Sequence, residues 1–163
     1  MKQTHGIAPV YDCNSRVLIL GSFPSVKSRE EGFFYGNRQN RFWRVLAAVM
    51  SQETPQTIEA KKIFLLKNGI ALWDCIAECD IEGSSDASIK DAVPNDISEI
   101  LTICPDIHIF LNGKTAEKCY YRHIYPQSGK RAETLPSTSP ANASYTQDRL
   151  TEVWYDKLSK YLR

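Results

Sequence analysis

The sequence has no apolar run long enough to span a bilayer, and no apolar stretch follows a basic start. That argues against a membrane-spanning or secreted chain. Cysteine offers no framework either. The five, at positions 13, 75, 79, 104 and 119, are odd in number, irregularly spaced and without a C-x-x-C pair. A zinc ribbon or iron–sulfur cluster is not expected, and free thiols fit a reducing, cytoplasmic setting. Cys75 and Cys79, four residues apart, would share a helix face and read as core. Charge of one sign is also missing. With 20 Lys and Arg against 19 Asp and Glu the formal charge is +1, so a polyanion must be met by a local patch. The glycine-rich phosphate cradle is incomplete. From Gly21 the spacing G-x-x-x-x-x-K-S puts Lys27 and Ser28 where an ATP-binding loop would want them. Val26 replaces the second glycine, and Pro24 has no N–H to give. A cradle needs successive N–H groups and a residue tolerant of positive φ, so nucleotide hydrolysis is disfavoured and Lys27 is expected in a solvated loop. No G-x-S-x-G elbow exists and no histidine is placed to serve Ser22 or Ser25, which weakens a small-molecule hydrolase.

What is present is alternation of apolar runs and amphipathic stretches. Val17–Leu20, Ile70–Asp74 and Ile107–Leu111 read as short strands buried on both faces, and Arg131–Leu135 as a weaker one. Helices are expected over 41–51, N-capped by Asn40 with Phe42, Val45, Leu46 and Val49 inward, and over 55–68, with Ile58, Ile63, Phe64 and Leu65 inward and Gly69 as the stop. Shorter helices follow over 96–103 and 115–125. A terminal helix over 145–162 turns Leu150, Val153, Trp154, Leu158 and Tyr161 inward. The polar stretch 79–96 reads as an excursion over the surface. The hydrophobic share of 42% suits a globular protein. The expected fold class is α/β: a three-layer α/β/α sandwich around a central parallel sheet of about four strands, in a single domain over residues 1–163.

Ligands of such sheets sit beyond the carboxyl ends of the strands. Here those ends are Gly21-Ser22-Phe23-Pro24, Trp73-Asp74, Asn112-Gly113 and Leu135-Pro136-Ser137-Thr138. The loop Phe33-Phe34-Tyr35 can either lid the core or stack on a flat heterocycle. Read locally, Asn40 is a helix cap, Asn112 is turn chemistry before Gly113, and Ser137, Thr138 and Ser139 cap a turn around two prolines. Asp74 and His108 read first as structural, and His5 and His123 carry no argument.

The segments GSFPS, FFYGNRQNRFW, IFLNGKTA and LPSTSPAN, in this order and each tied to an expected strand end, resemble the uracil-DNA glycosylase superfamily, nearest its hypoxanthine-DNA (deoxyinosine) glycosylase branch. The resemblance runs from about Val17 to the last helix. It implies the same sandwich fold and a partner, double-stranded DNA containing a deaminated base. It implies that Gly21, Ser22, Phe23 and Pro24 form the base-pocket loop, with Tyr35 beside it, and that Asn112 reads the edge of the flipped base. Ser137, Thr138, Ser139 and Pro140 would grip the DNA backbone. The family's Asp or Asn before the proline is Phe23 here, and the histidine opening the last motif is absent, which argues against ordinary uracil excision. The water-orienting role then falls to Asn40, with Asn37 as a rival.

The chemistry is compatible with two amides. Hydrolysis of an N-glycosidic bond passes through a cationic sugar, so water needs aim more than base strength, and the departing base needs hydrogen-bond donors. Ser22 and Phe23 N–H groups and the Asn112 amide can supply these; no metal or redox cofactor is called for. Lys114 and Arg131, with Arg38, Arg41 and Lys130, would give a basic edge, while acidic residues gather in 78–91 and 96–99. The alternatives are a non-catalytic nucleic-acid-binding module on this scaffold and a glycosylase of uracil or mismatch specificity.

Overall fold

The computed structural model describes residues 2–162. The chain runs β1 (Lys2–Thr4), β2 (Val17–Gly21), α1 (Val26–Glu31), α2 (Phe42–Val49), α3 (Ile58–Lys67), β3 (Ile70–Asp74), β4 (Ile76–Asp80), β5 (Lys90–Pro94), α4 (Ser98–Ile103), β6 (His108–Asn112), α5 (Lys114–Cys119), α6 (Tyr125–Ser128), β7 (Ala132–Leu135) and α7 (Gln147–Leu158). A π-helical turn over Tyr120–Ile124 joins α5 to α6.

The strand β2 dictates the architecture. All five of its residues are buried, with Val17 and Ile19 in one apolar cluster and Leu18 and Leu20 in another. A strand without a wet face needs cover on both sides. Phe42 and Leu46 of α2, Phe64 and Leu65 of α3, and Leu150, Trp154 and Leu158 of α7 cover one face. Ile100 of α4, Ala116 and Cys119 of α5, and Ile124 cover the other. Each buried aliphatic side chain of β2 contributes roughly 1.5–3 kcal/mol, so one charge here would cost much of a domain's ~5–15 kcal/mol. The sheet is parallel, in the order β3-β2-β6-β7. This is the three-layer sandwich expected from the sequence.

The stretch 79–96, expected as an excursion over the surface, runs there in paired strands. β4 and β5 pair antiparallel, and β1 adds to β4, making a second, three-stranded sheet in the order β1-β4-β5. Its apolar signal is thin because only Ile76 and Cys79 of β4 are buried. Cys75 and Cys79 are both buried as expected, but in extended chain rather than on one helix face. The reason is that Cys75 N–H and Ile76 N–H donate to the carbonyls of Gly21 and Ser22 (2.8 and 3.1 Å), prolonging the strand past Asp74. In α3, Phe64 and Leu65 face the core, whereas Ile58 and Ile63 are exposed. The helix is N-capped by Thr57, whose Oγ1 accepts the Ala60 N–H; Ile58 is left at its first position, and Ile63 lies outside the arc that Phe64 and Leu65 turn inward. Lys27 lies on α1 and pairs with Glu31 at 3.7 Å, not in a loop. Ser25 makes this helix possible by capping it.

Register sets the site. Gly21 pairs with Asp74, and Asn112 with Leu135. Parallel strands finish on one side, so Asp74, Gly21, Asn112 and Leu135 close one edge in strand order.

Candidate active site

Four polar side chains meet at this edge in a single chain of hydrogen bonds. The buried hydroxyl of Thr138 donates to Asn40 Oδ1 (2.8 Å) and accepts from Asn112 Nδ2 (3.0 Å). Asn112 Nδ2 also donates to the Tyr35 hydroxyl (3.1 Å), and Asn112 Oδ1 accepts the Thr138 N–H (3.1 Å). Asn40 Oδ1 accepts a second donor, the Phe42 N–H at 3.0 Å. Asn40 is therefore bonded to the first N–H of α2 and to the site at once; it stands one residue before the N-cap position, which Arg41 fills without a side-chain bond. Both amide orientations are fixed, because Phe42 N–H and Thr138 N–H can only donate.

Arg41 holds the arrangement closed. Its N–H donates to the Thr138 carbonyl (3.1 Å). Its guanidinium donates to the carbonyls of Ser139 (2.9 Å), Asn142 (3.1 Å) and Tyr145. The loop after β7 is thereby fastened to the start of α2. That role takes Arg41 out of the expected basic patch.

The first motif has its own geometry. Gly21 faces Asp74 Oδ1 and the Tyr35 hydroxyl so closely that an ideal Cβ would lie 2.4 and 2.7 Å from them. Only glycine allows both oxygens to approach so closely. Asp74 is 3% exposed, and its Oδ2 accepts from His5 Nε2 at 2.8 Å. His5 Nδ1 accepts the Ile7 N–H (3.1 Å), which puts the ring proton on Nε2. The imidazole packs among Phe23, Phe34 and Trp73. Tyr35 adopts a positive φ of 53° and stacks on Phe42 at 4.0 Å between centroids. Burial, then the Asp74 charge, pushes the Tyr35 phenol pKa well above its usual value, with the Asn112 hydrogen bond opposing.

Asn40, Asn112, Tyr35, Gly21 and Thr138 are thus brought together. Ser22 is on the same edge, donating to Asp86 Oδ1 at 3.0 Å. The Phe23 ring packs beside His5 and under Arg29, and Pro24 is buried, so this loop can offer a ligand backbone groups rather than those two side chains. Phe33 and Phe34 are core. Asn37 stays in a local turn, accepting the Gln39 N–H at Oδ1 and the Asn40 N–H at its carbonyl. Ser137 Oγ and Ser139 Oγ each accept a backbone N–H two residues on, from Ser139 and Ala141, and keep their own protons for an outside acceptor. Pro140 is exposed beside them, and Lys114 is exposed at the first position of α5, just past Asn112. Thr138, expected at the DNA backbone, is instead fully buried between the two amides.

Arg131 is not brought to this edge. It precedes β7, whose amino end faces the opposite side of a parallel sheet, and its guanidinium lies over the Tyr125 ring at 5.6 Å. Lys130 donates to the Pro105 carbonyl on that same far side. The acidic residues are not kept elsewhere either. The link between β4 and β5 folds back: Ser84 Oγ accepts the Val26 N–H, Gly83 carbonyl accepts from Arg29, and Asp86 reaches Ser22. Loss of water at the Asp86 carboxyl and the Asp74 charge push its pKa up, while hydrogen bonds from Ser22 and Thr115 oppose this. Two residues escaped the reading of the sequence: His5, 69 positions from its partner Asp74, and Asp86. Nothing local marks His5; for Asp86 the cue was a lone acid after a Gly-Ser-Ser turn.

Among the described residues no group of three His, Cys, Asp or Glu side chains is placed to hold a metal, and no helix is long and apolar enough to cross a membrane.

Comparison with known proteins points one way. The profile of the Uracil DNA glycosylase superfamily matches residues 8–163. The chain is 34% identical over 149 residues to the hypoxanthine DNA glycosylase of Methanosarcina acetivorans, covering 90% of this chain and 93% of that one. It is 33% identical over 146 residues to the enzyme of the same name from Methanosarcina barkeri, covering 88% and 91%. The solution NMR structure of a candidate uracil DNA glycosylase from Methanosarcina acetivorans superimposes over 100% of both chains with a TM-score of 0.83 at 32% identity. With its sandwich, its strand-end loops and its paired amides, this chain belongs to the uracil DNA glycosylase superfamily.

Proposed function

We propose that the protein is a monofunctional DNA glycosylase that takes a deaminated base, foremost hypoxanthine, out of double-stranded DNA and hydrolyses its N-glycosidic bond. The observation that carries this is the Thr138 hydroxyl joining Asn40 to Asn112 at the carboxyl edge, in a chain whose relatives are named for hypoxanthine release.

The flipped nucleoside lies over this edge. Its C1′–N bond breaks with the electron pair leaving on the base, and a water oxygen bonds to C1′ as its proton passes to solvent. Asn40 Oδ1 aims that water. Both its acceptor positions are filled in the free protein, so the Thr138 hydroxyl turns aside and a water O–H takes its place. Ser22 and Phe23 N–H groups meet the charge on the base, and Asn112, whose two amide hydrogens go to Thr138 and Tyr35, acts on it through the Tyr35 hydroxyl. Ser137, Ser139 and Lys114 contact phosphates. No lysine is committed to a Schiff base, so the strand is left abasic but uncut.

The filled acceptor positions of Asn40 also favour a second reading, a module that binds lesions without cleaving them. Release of free base from duplexes carrying one hypoxanthine, uracil, xanthine or mismatched thymine decides between them. The glycosylase releases hypoxanthine, and Asn40→Ala lowers this at least ~100-fold while DNA binding persists. Tight binding with no release from any duplex would establish the binding module.

A further inference from the structure

The polar chain at the active edge ends in an unused pair of groups. Asp74 Oδ2 is taken by His5. Among the described residues no hydrogen bond reaches Asp74 Oδ1, although the residue is 3% exposed. The Tyr35 oxygen accepts from Asn112 Nδ2, and no described residue takes its proton. Both oxygens close on Gly21, where an ideal Cβ would lie 2.4 Å from Asp74 Oδ1 and 2.7 Å from the Tyr35 oxygen. A free acceptor thus stands near a free donor at the bare backbone of Gly21.

Their polarity cannot invert. At one end the Ile7 N–H occupies His5 Nδ1, so His5 Nε2–H must donate to Asp74. At the other the Thr138 N–H occupies Asn112 Oδ1, so Asn112 Nδ2 must face the Tyr35 oxygen. Two backbone groups that can only donate fix every link.

Deamination inverts the matching edge of a base. Adenine presents a bare ring nitrogen beside an amino group. Hypoxanthine presents a ring N–H beside a carbonyl, and uracil relates to cytosine in the same way. We infer that Asp74 Oδ1 and the Tyr35 hydroxyl read this lactam edge, Asp74 accepting the ring N–H and Tyr35 donating to the exocyclic oxygen. An amidine edge would set lone pair against carboxylate and N–H against O–H. The inference rests on the glycosylase reading above and names what selects its substrate. It also fits the chemistry, because charge leaving with the base gathers on the oxygen that Tyr35 meets. The raised pKa of this phenol keeps its proton in place at neutral pH.

The test places hypoxanthine or adenine opposite an abasic site, so neither base gives up a pair when it leaves the stack. A 2′-fluoro sugar blocks cleavage, and binding is measured. The wild-type protein should prefer hypoxanthine by at least ~100-fold. In Asp74→Asn the amide oxygen must serve His5, which puts the amide nitrogen where Oδ1 stood and replaces the acceptor with a donor. Its preference should fall below about threefold, and Tyr35→Phe should lose about tenfold. A wild-type preference under threefold, or an undiminished preference in both variants, overturns the proposal. The wild-type arm and Tyr35→Phe stand even if Asp74→Asn does not fold. Binding is scored apart from cleavage. A protein that prefers hypoxanthine without releasing it refutes the glycosylase and keeps the reader, whereas release without this preference does the reverse.

Discussion

Gly21→Ala adds one methyl group to the most crowded point of the edge. The backbone at Gly21 is ordinary strand, absent from the positive-φ glycines, so alanine costs nothing in torsion. The cost is contact. An ideal Cβ lies 2.4 Å from Asp74 Oδ1 and 2.7 Å from the Tyr35 oxygen, well inside an ordinary carbon–oxygen approach of about 3.3 Å. Both must retreat, by roughly 0.9 and 0.6 Å, to reach that separation. Asp74 is tied to His5, and Tyr35 is stacked on Phe42 and bonded to Asn112, so neither yields alone. Overpacking of this kind costs ~1–3 kcal/mol, which for a chain of this size lowers Tm by roughly 3–10 °C. Displacing the Tyr35–Asn112–Thr138 chain by most of an ångström should lower single-turnover hypoxanthine release ~100-fold. The assay is base release from a labelled duplex alongside thermal melting. Activity within about threefold of wild type, with Tm unchanged, would refute the claim that this close approach is part of the site.

Other substitutions separate the parts. Thr138→Val removes two buried hydrogen bonds at ~1 kcal/mol each; Tm should fall by roughly 4–8 °C and hypoxanthine release should drop, whereas Thr138→Ser should keep both. Equal activity in the valine and serine variants would show that the hydroxyl does not position the amides. Asp86 binds a proton more readily in the folded chain than in the unfolded one, so stability falls as pH rises from the ordinary carboxylate pKa through the raised one. Asp86→Asn should abolish that fall and melt higher at pH 7; a melting profile unchanged across pH would contradict it. Arg41→Ala strips three carbonyls of a charged donor and should cost at least ~2 kcal/mol, with new proteolytic cleavage between residues 139 and 145. Resistance there equal to wild type would mean the loop holds without it.

The central sheet was legible because β2, β3 and β6 are largely buried apolar runs that end in Gly21, Asp74 and Asn112, while the half-buried β7 ends before Pro136. Asn112 stood out at one of these strand ends and Asn40 at the start of a helix, and the family resemblance supplied the expected role of each. What escaped depends on contacts between distant segments. Cys79 and Ile76 carry too little apolar signal to announce β4, which is held by pairing with β1 and β5 rather than by its own pattern. Thr138 looks like a surface hydroxyl among serines and prolines, and only the fold of the loop over α2 buries it. Arg131 was misplaced because charge near a motif in sequence says nothing about which end of a parallel strand carries it.

The short β1 strand has a bearing beyond its size. Its three residues clip the leading segment onto β4, and the next residue is His5. Trimming the first half-dozen residues, an edit that would pass for harmless tidying of an exposed margin, would remove the imidazole and let the Asp74 carboxylate swing. If Asp74 reads the base, selectivity among lesions would then depend on a segment nearly seventy residues away in sequence, even with Asn40 and Asn112 intact.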